Sequence, residues 1–243
     1  MKTLIVIPAR MASVRFPNKP LALIDGITMI ERVWQQAKKA DMGSVIVACS
    51  EKKVFNLIES IGGHAIITDP ALPSGTDRIF HAISKISEVE KFDSIINLQG
   101  DMPIINPSDI KKVNEPLLEG FDIGTLVTNI SENEEREENI TKAKINWIKK
   151  ENLGQALDFY KLSRKSLDNI YHHVGIYSFS FKSLKKFVEL KPSVNEINYK
   201  LEQLRALDSD MSIGVAYVKN VPLSIDTEED LKKIESIIKV NND

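Results

Sequence analysis

The chain is predicted to fold as an α/β protein, with a mostly parallel sheet flanked by helices and a smaller strand-rich part. Three observations predict this. Through the first hundred residues, short apolar runs of strand length alternate with amphipathic stretches of helical period. Beyond them the pattern changes to longer extended runs separated by turns. The 243 residues, 42% hydrophobic and 27% charged, suffice for one large domain or a domain with a sub-domain.

Residues 4–7, 45–48, 65–67 and 95–98 read as buried strands, because they are continuously apolar. Between them, residues 29–40 (MIERVWQQAKKA), 53–61 and 77–86 carry helical spacing. In the second half, 122–130 (DIGTLVTNI), 144–148 (KINWI) and 171–180 (YHHVGIYSFS) read as strands, and the NLGQ tract contains a turn. The tract SENEEREEN, 131–139, is expected to be a solvated helix or loop, since a charge run usually marks exposed surface. Residues 195–207 (NEINYKLEQLRAL) form one amphipathic helix, 213–218 a late strand and 228–239 a closing helix. The organisation is a single domain over 1–243 with a strand-rich insertion at about 143–207. There are no repeats and no low-complexity linker.

Composition excludes several classes. With 32 basic and 34 acidic residues the net charge is −2, which does not suit a nucleic-acid binder; any anion site is local. The single cysteine, Cys49, excludes an internal disulfide and a structural zinc site, and it reads as a small buried side chain. The first apolar run is ended by Arg10, too soon for a signal-peptide core, and no stretch approaches the roughly 20 apolar residues of a membrane span. The expectation is a soluble, cytoplasmic protein.

Three loops carry candidate chemistry. The first, IPARMASVRFPNKP over 7–20, holds Arg10, Arg15 and Lys19 with three prolines and no acid, at the C-terminal edge of the first strand. Clustered cations suit a triphosphate: Arg supplies forked hydrogen bonds, Lys a mobile point charge, and proline limits the entropy lost on binding. It is not a Walker A loop, and the alternative is a basic surface loop. In the second, SGTDR over 74–78, Ser74 is placed to cap a helix and Gly75 to allow close backbone approach; an ordinary cap is the plainer reading. In the third, Gln99-Gly100-Asp101 follows a buried strand, so Asp101 is placed to hold Mg²⁺ unless it is a turn aspartate. A second carboxylate, Asp226 in PLSIDTEED, doubles as a helix-cap candidate.

Six motifs then stand in one order: IPARMASVRFPNKPL, SGTDR, QGD followed by Pro103, HVGIY, LEQLR and IDTEEDL. Together they resemble the 3-deoxy-D-manno-octulosonate (Kdo) cytidylyltransferases, also called CMP-Kdo synthetases, over residues 5–231. The resemblance implies a Rossmann-like nucleotidyltransferase fold with a dimerisation sub-domain, hence a homodimer, and a Mg²⁺-dependent reaction in which CTP and Kdo give CMP-Kdo and pyrophosphate for lipopolysaccharide biosynthesis. It assigns Pro8, Ala9, Arg10, Arg15, Lys19, Ser74, Gly75, Asp77 and Arg78 to the nucleotide, and Lys19, Asp101 and Asp226 to catalysis, with the two aspartates holding Mg²⁺. Gln99, Lys144, Arg164, His173, Tyr177, Glu202 and Gln203 match the sugar-acid side. Period-2 spacing puts His173 and Tyr177 on one strand face, whereas Glu202 and Gln203, as helix neighbours, point about a third of a turn apart. Met102 stands where the family pattern has Glu after QGD. The same chemistry on an amino-Kdo or a sialic acid, or a nucleotide-binding module without catalysis, are the alternatives.

Overall fold

The structure, a computed structural model, describes residues 1–12, 15–149, 152–161 and 169–242. Its contacts form two compact units, one of residues 1–92, 97–110 and 222–243, the other of 93–96 and 111–221.

The first unit holds β1 (Thr3–Ala9), a small hairpin of β2 (Leu23–Ile24) and β3 (Ile27–Thr28), β4 (Gly43–Cys49) and β5 (His64–Ile67). β1, β4 and β5 pair in parallel in the order β5-β4-β1. Residues Leu4 to Ile7 are wholly buried, which is why this strand is continuously apolar rather than alternating. The helices α1 (Met29–Lys39), α2 (Lys52–Ser60) and α3 (Gly75–Ile83) bury their apolar stripes through Ile30 and Val33, Val54 and Ile58, and Ile79 and Ile83. Cys49 is buried as expected, and burial pushes its thiol up to about 12. The closing helix, Glu228–Asn242, packs Ile234 and Ile238 with Ile225, Ile24 and Met29 in one apolar cluster.

The second unit is wider than the insertion expected at about 143–207. It contains β6 (Ser94–Asn97, whose last residue returns the chain to the first unit), β7 (Ile123–Thr128), β8 (Lys142–Lys149), β9 (Leu153–Tyr160), β10 (Ile170–Phe179) and β11 (Ile213–Tyr217). Their order is β6-β10-β7-β11-β9-β8. β10 and β11 both pair with β7, which draws 123–128 and 213–217 into this unit. In this unit β11–β7 is parallel, whereas β10–β7, β10–β8, β11–β9 and β8–β9 are antiparallel. The expected mostly parallel sheet is therefore corrected to a mixed one, parallel in the first unit. The short β8–β9 connection admits only an antiparallel partner.

One further expectation is corrected. The single helix over 195–207 is two, Val194–Tyr199 and Leu204–Leu207, because Lys200 adopts φ 55°, ψ 47°. Arg205 spans the break, donating to both carboxylate oxygens of Glu196 at 2.7 and 2.6 Å. Glu202 and Gln203 thus lie in the turn before the second helix and are not helix neighbours. The 131–139 tract forms, as expected, a short helix with no buried residue, Glu132–Arg136, in which Ser131 and Glu134 make a capping box and Glu134 Oε1 meets His172 Nδ1 at 3.1 Å.

Candidate active site

The first unit carries a cleft of about 490 Å³ at the C-terminal end of β1. Its floor is backbone. The Leu98 amide donates to Val6 O at 3.1 Å, which sets Gln99-Gly100-Asp101 alongside Pro8. Glycine is required in that loop, since a Cβ on Gly100 would stand 2.8 Å from the Pro8 carbonyl oxygen. The Ile225 amide donates to the Asp101 carbonyl at 2.9 Å and so brings Asp226 beside Asp101. Ile225, wholly buried, anchors that approach in the apolar cluster.

Lys19 joins the parts. Its Nζ donates to Asp101 Oδ2 at 2.8 Å, Asp226 Oδ1 at 3.2 Å and Ile225 O at 2.7 Å. Arg15 reaches Asp226 Oδ1 at 3.1 Å. The cations of the opening loop are therefore not left to repel one another: two are balanced by two carboxylates, and Arg10 stands on the cleft wall. Asp226 is not spent on capping. Thr227 and Asp230 do that work, with the Asp230 amide donating to Thr227 Oγ1 and the Asp226 and Thr227 amides donating to Asp230 Oδ2. These bonds hold the Asp230 carboxyl below its usual range against the opposing effect of burial.

Of the residues expected at the nucleotide, Pro8, Ala9, Arg10, Arg15, Lys19, Ser74, Gly75 and Arg78 line the cleft, as do Gln99, Asp101 and Asp226. Asp77 does not: its amide donates to Ser74 Oγ at 3.0 Å and its carboxylate accepts from the same hydroxyl at 2.7 Å, so it serves the cap of α3. Arg78 is nearly buried, which lowers its pKa, and its Nη1 holds Thr68 Oγ1 and Asp69 O. It fixes the loop before α3 as well as facing the cleft. Met29, at the start of α1, also lines the cleft and was not singled out, because a buried methionine in a helix reads as core.

The second unit holds the other expected residues. His173 is buried, with Nε2 3.0 Å from Thr125 Oγ1, its ring 4.9 Å from Phe159 and 5.5 Å from Tyr177. The shared face holds although β10 bulges between Val174 and Tyr177. Burial first, and then the neighbouring His172, bring the His173 imidazole down to about 3, so it is neutral and contributes no cation. Burial, with Glu202 adding to it, raises the Tyr177 phenol, which stays protonated. Gln203 is buried, and Lys144 lies half-buried on β8 opposite Ile170 of β10. Arg164 lies outside the described residues.

This cleft, built of cations and paired aspartates at the end of a parallel strand, defines the class: the model of the cytidylyltransferase family matches residues 4–213. The 3-deoxy-manno-octulosonate cytidylyltransferase of Paramagnetospirillum magneticum is 44% identical over 239 residues, 97% of each chain. That of Parvibaculum lavamentivorans is 42% identical over 97% of this chain and 92% of its own. A solved structure, CMP:2-keto-3-deoxy-manno-octonic acid synthetase complexed with CTP, is 31% identical, with a TM-score of 0.89 over 99% of this chain and 100% of that one. The chain belongs to the 3-deoxy-manno-octulosonate cytidylyltransferase family. Among the described residues, no helix is long and apolar enough to cross a membrane.

Proposed function

We propose that the chain transfers the cytidylyl group of CTP to Kdo, giving CMP-Kdo and pyrophosphate. The observation that carries this is the meeting of Lys19, Asp101 and Asp226 in one cleft within 3.2 Å, although 207 residues separate the first from the last. The anomeric hydroxyl of the sugar acid attacks the α-phosphorus of CTP, and pyrophosphate leaves. Charge gathers on phosphate oxygens, so the work is positioning and neutralisation, with no protein nucleophile. Arg10, Arg15 and Lys19 take the triphosphate, with Arg15 and Lys19 exchanging their carboxylate partners for phosphate. Ser74, Gly75 and Arg78 wall the nucleotide. By the family resemblance, Gln99, Lys144, Arg164, His173, Tyr177, Glu202 and Gln203 are assigned to the sugar acid. His173 and Tyr177, both uncharged, would act by hydrogen bonding.

The donor set fits Mg²⁺. Asp101 and Asp226 are hard oxygen donors, each partly open to solvent, and no cluster of three or more His, Cys, Asp or Glu groups occurs among the described residues. Mg²⁺ characteristically takes one or two carboxylates and completes its shell with water and phosphate. Asp101 and Asp226 would hold it, and when bound it neutralises charge on the reacting phosphate. The first unit reads as the Rossmann-like part, on its parallel order and flanking helices. The second reads as the dimerisation part, supported by the exposed Val194, Ile197 and Tyr199.

The test is pyrophosphate release with each nucleoside triphosphate against Kdo, 8-amino-Kdo and sialic acid, with and without Mg²⁺. Release with CTP and Kdo, dependent on Mg²⁺, is expected. Release with sialic acid but not Kdo would overturn the sugar assignment, and CTP binding without release from any pair would leave a binding module.

A further inference from the structure

Asn97 ends β6 with 1% of its surface exposed, and none of the roles assigned above touches it. Both ends of its side-chain amide are engaged. Nδ2 donates to Thr76 Oγ1 at 3.3 Å, and Oδ1 accepts from Gln99 Nε2 at 3.1 Å. Thr76 is itself buried in the first turn of α3. Gln99 lines the cleft. With its Nε2 committed to Asn97, Gln99 keeps Oε1 for a ligand. That oxygen takes no hydrogen bond from a described residue, and a Cβ built on cleft-lining Gly75 would stand 3.7 Å from it.

The sense of an amide matters because its two ends match in shape and oppose in function, one donating and the other accepting. An unrestrained glutamine offers either. Here reversal of one amide alone is penalised: a turned Gln99 would set its oxygen against Asn97 Oδ1, and a turned Asn97 would set two amino groups face to face, while turning both together requires the Thr76 hydroxyl to change from acceptor to donor.

We propose that Asn97 is a positioning residue that locks the Gln99 amide with its carbonyl oxygen available to the cleft, so that Gln99 reads a hydrogen-bond donor, a hydroxyl, on the bound sugar acid. The assignment of Gln99 to the sugar acid rests on the function proposed above. The consequence is directional. A sugar acid lacking that hydroxyl leaves the Gln99 oxygen unpaired, whereas one with an acceptor there is repelled.

A double-mutant cycle of Asn97→Leu and Gln99→Leu tests it, run with whichever sugar acid the wild-type enzyme turns over. Failure on Kdo is then a failure of the functional reading, and the lock is judged by the cycle. Asn97→Leu is expected to raise the sugar-acid KM about tenfold while the CTP KM moves less than about twofold, the scale of one misdirected hydrogen bond. Asn97→Asp keeps the acceptor for Gln99 and is expected to stay within about threefold of wild type, a variant that also guards against a folding defect. The double variant is expected to lose no more than Gln99→Leu alone. Additive losses, or an unchanged sugar-acid KM in well-folded Asn97→Leu, would overturn the proposal.

Discussion

Asn18 precedes Lys19 at φ 59°, ψ 20°, the left-handed region. Its amide donates to Met11 O at 3.2 Å and its carbonyl accepts from Leu21 at 2.9 Å, so this one strained residue closes the cationic loop and aims the lysine. Asn and Gly tolerate that conformation, and a β-branched side chain does not. Asn18→Gly is therefore expected to keep activity, and Asn18→Val to lose about 1–2 kcal/mol in urea unfolding and to weaken CTP binding. At His173 the folded imidazole titrates near 3 while the unfolded one titrates near 6.5. Between those values the unfolded chain binds a proton that the fold refuses. Stability is therefore full above the unfolded value and falls as pH drops through it, by up to about 1.4 kcal/mol per unit. Unfolding titrations between pH 7 and 4 are expected to show a shallower pH slope for His173→Phe than for wild type; equal slopes would contradict a buried neutral imidazole. That Lys19, Asp101 and Asp226 belong to one candidate site was legible in the sequence, because they sit in motifs whose order is specific, and the structure brings them together. Their partners were not. Which of Asp226 and Asp230 shares the cap with Thr227, and whether Asp77 faces the cleft or its own cap at Ser74, are choices among local alternatives that the motifs leave open, and the stripping of water from His173 is a consequence of tertiary packing.

Among the elements, strands β1, β4, β5 and β6 and helices α1 to α3 were found close to their bounds, since buried parallel strands and amphipathic helices write themselves as simple periods. The start of β9 was read as part of a turn because Gly154 follows Asn152 in the NLGQ tract; pairing with β8 on one side and β11 on the other makes it strand. The break at Lys200 was invisible because the run 195–207 contains neither Gly nor Pro. A lysine at φ 55° bears a cost that glycine does not. Lys200→Gly is expected to raise the urea midpoint, by about 0.5–1 kcal/mol of stability, with the sugar-acid KM little changed. A loss of stability would mean that the Lys200 side chain does more than fill a left-handed corner.

For the whole molecule, the sequence conveyed the alternation of strand and helix but not where one unit ends and the other begins. The chain crosses between units at 92–97, 110–111 and 221–222, and no change of composition marks those points. What sequence distance hides, the first unit's fold brings together: the Ile225 amide on the Asp101 carbonyl, the apolar cluster around Ile225, and Lys19 between the two aspartates. Removing one carboxylate from that arrangement separates binding from turnover. The most direct measurement is pyrophosphate release by Asp101→Asn with CTP and Kdo at saturating Mg²⁺, alongside calorimetric binding of CTP. A fall of at least about a hundredfold with CTP binding still measurable is expected, since the proposed role of Asp101, holding Mg²⁺, acts on the reacting phosphate rather than on the base. A rate within about twofold of wild type would contradict a role for Asp101 at the reacting phosphorus.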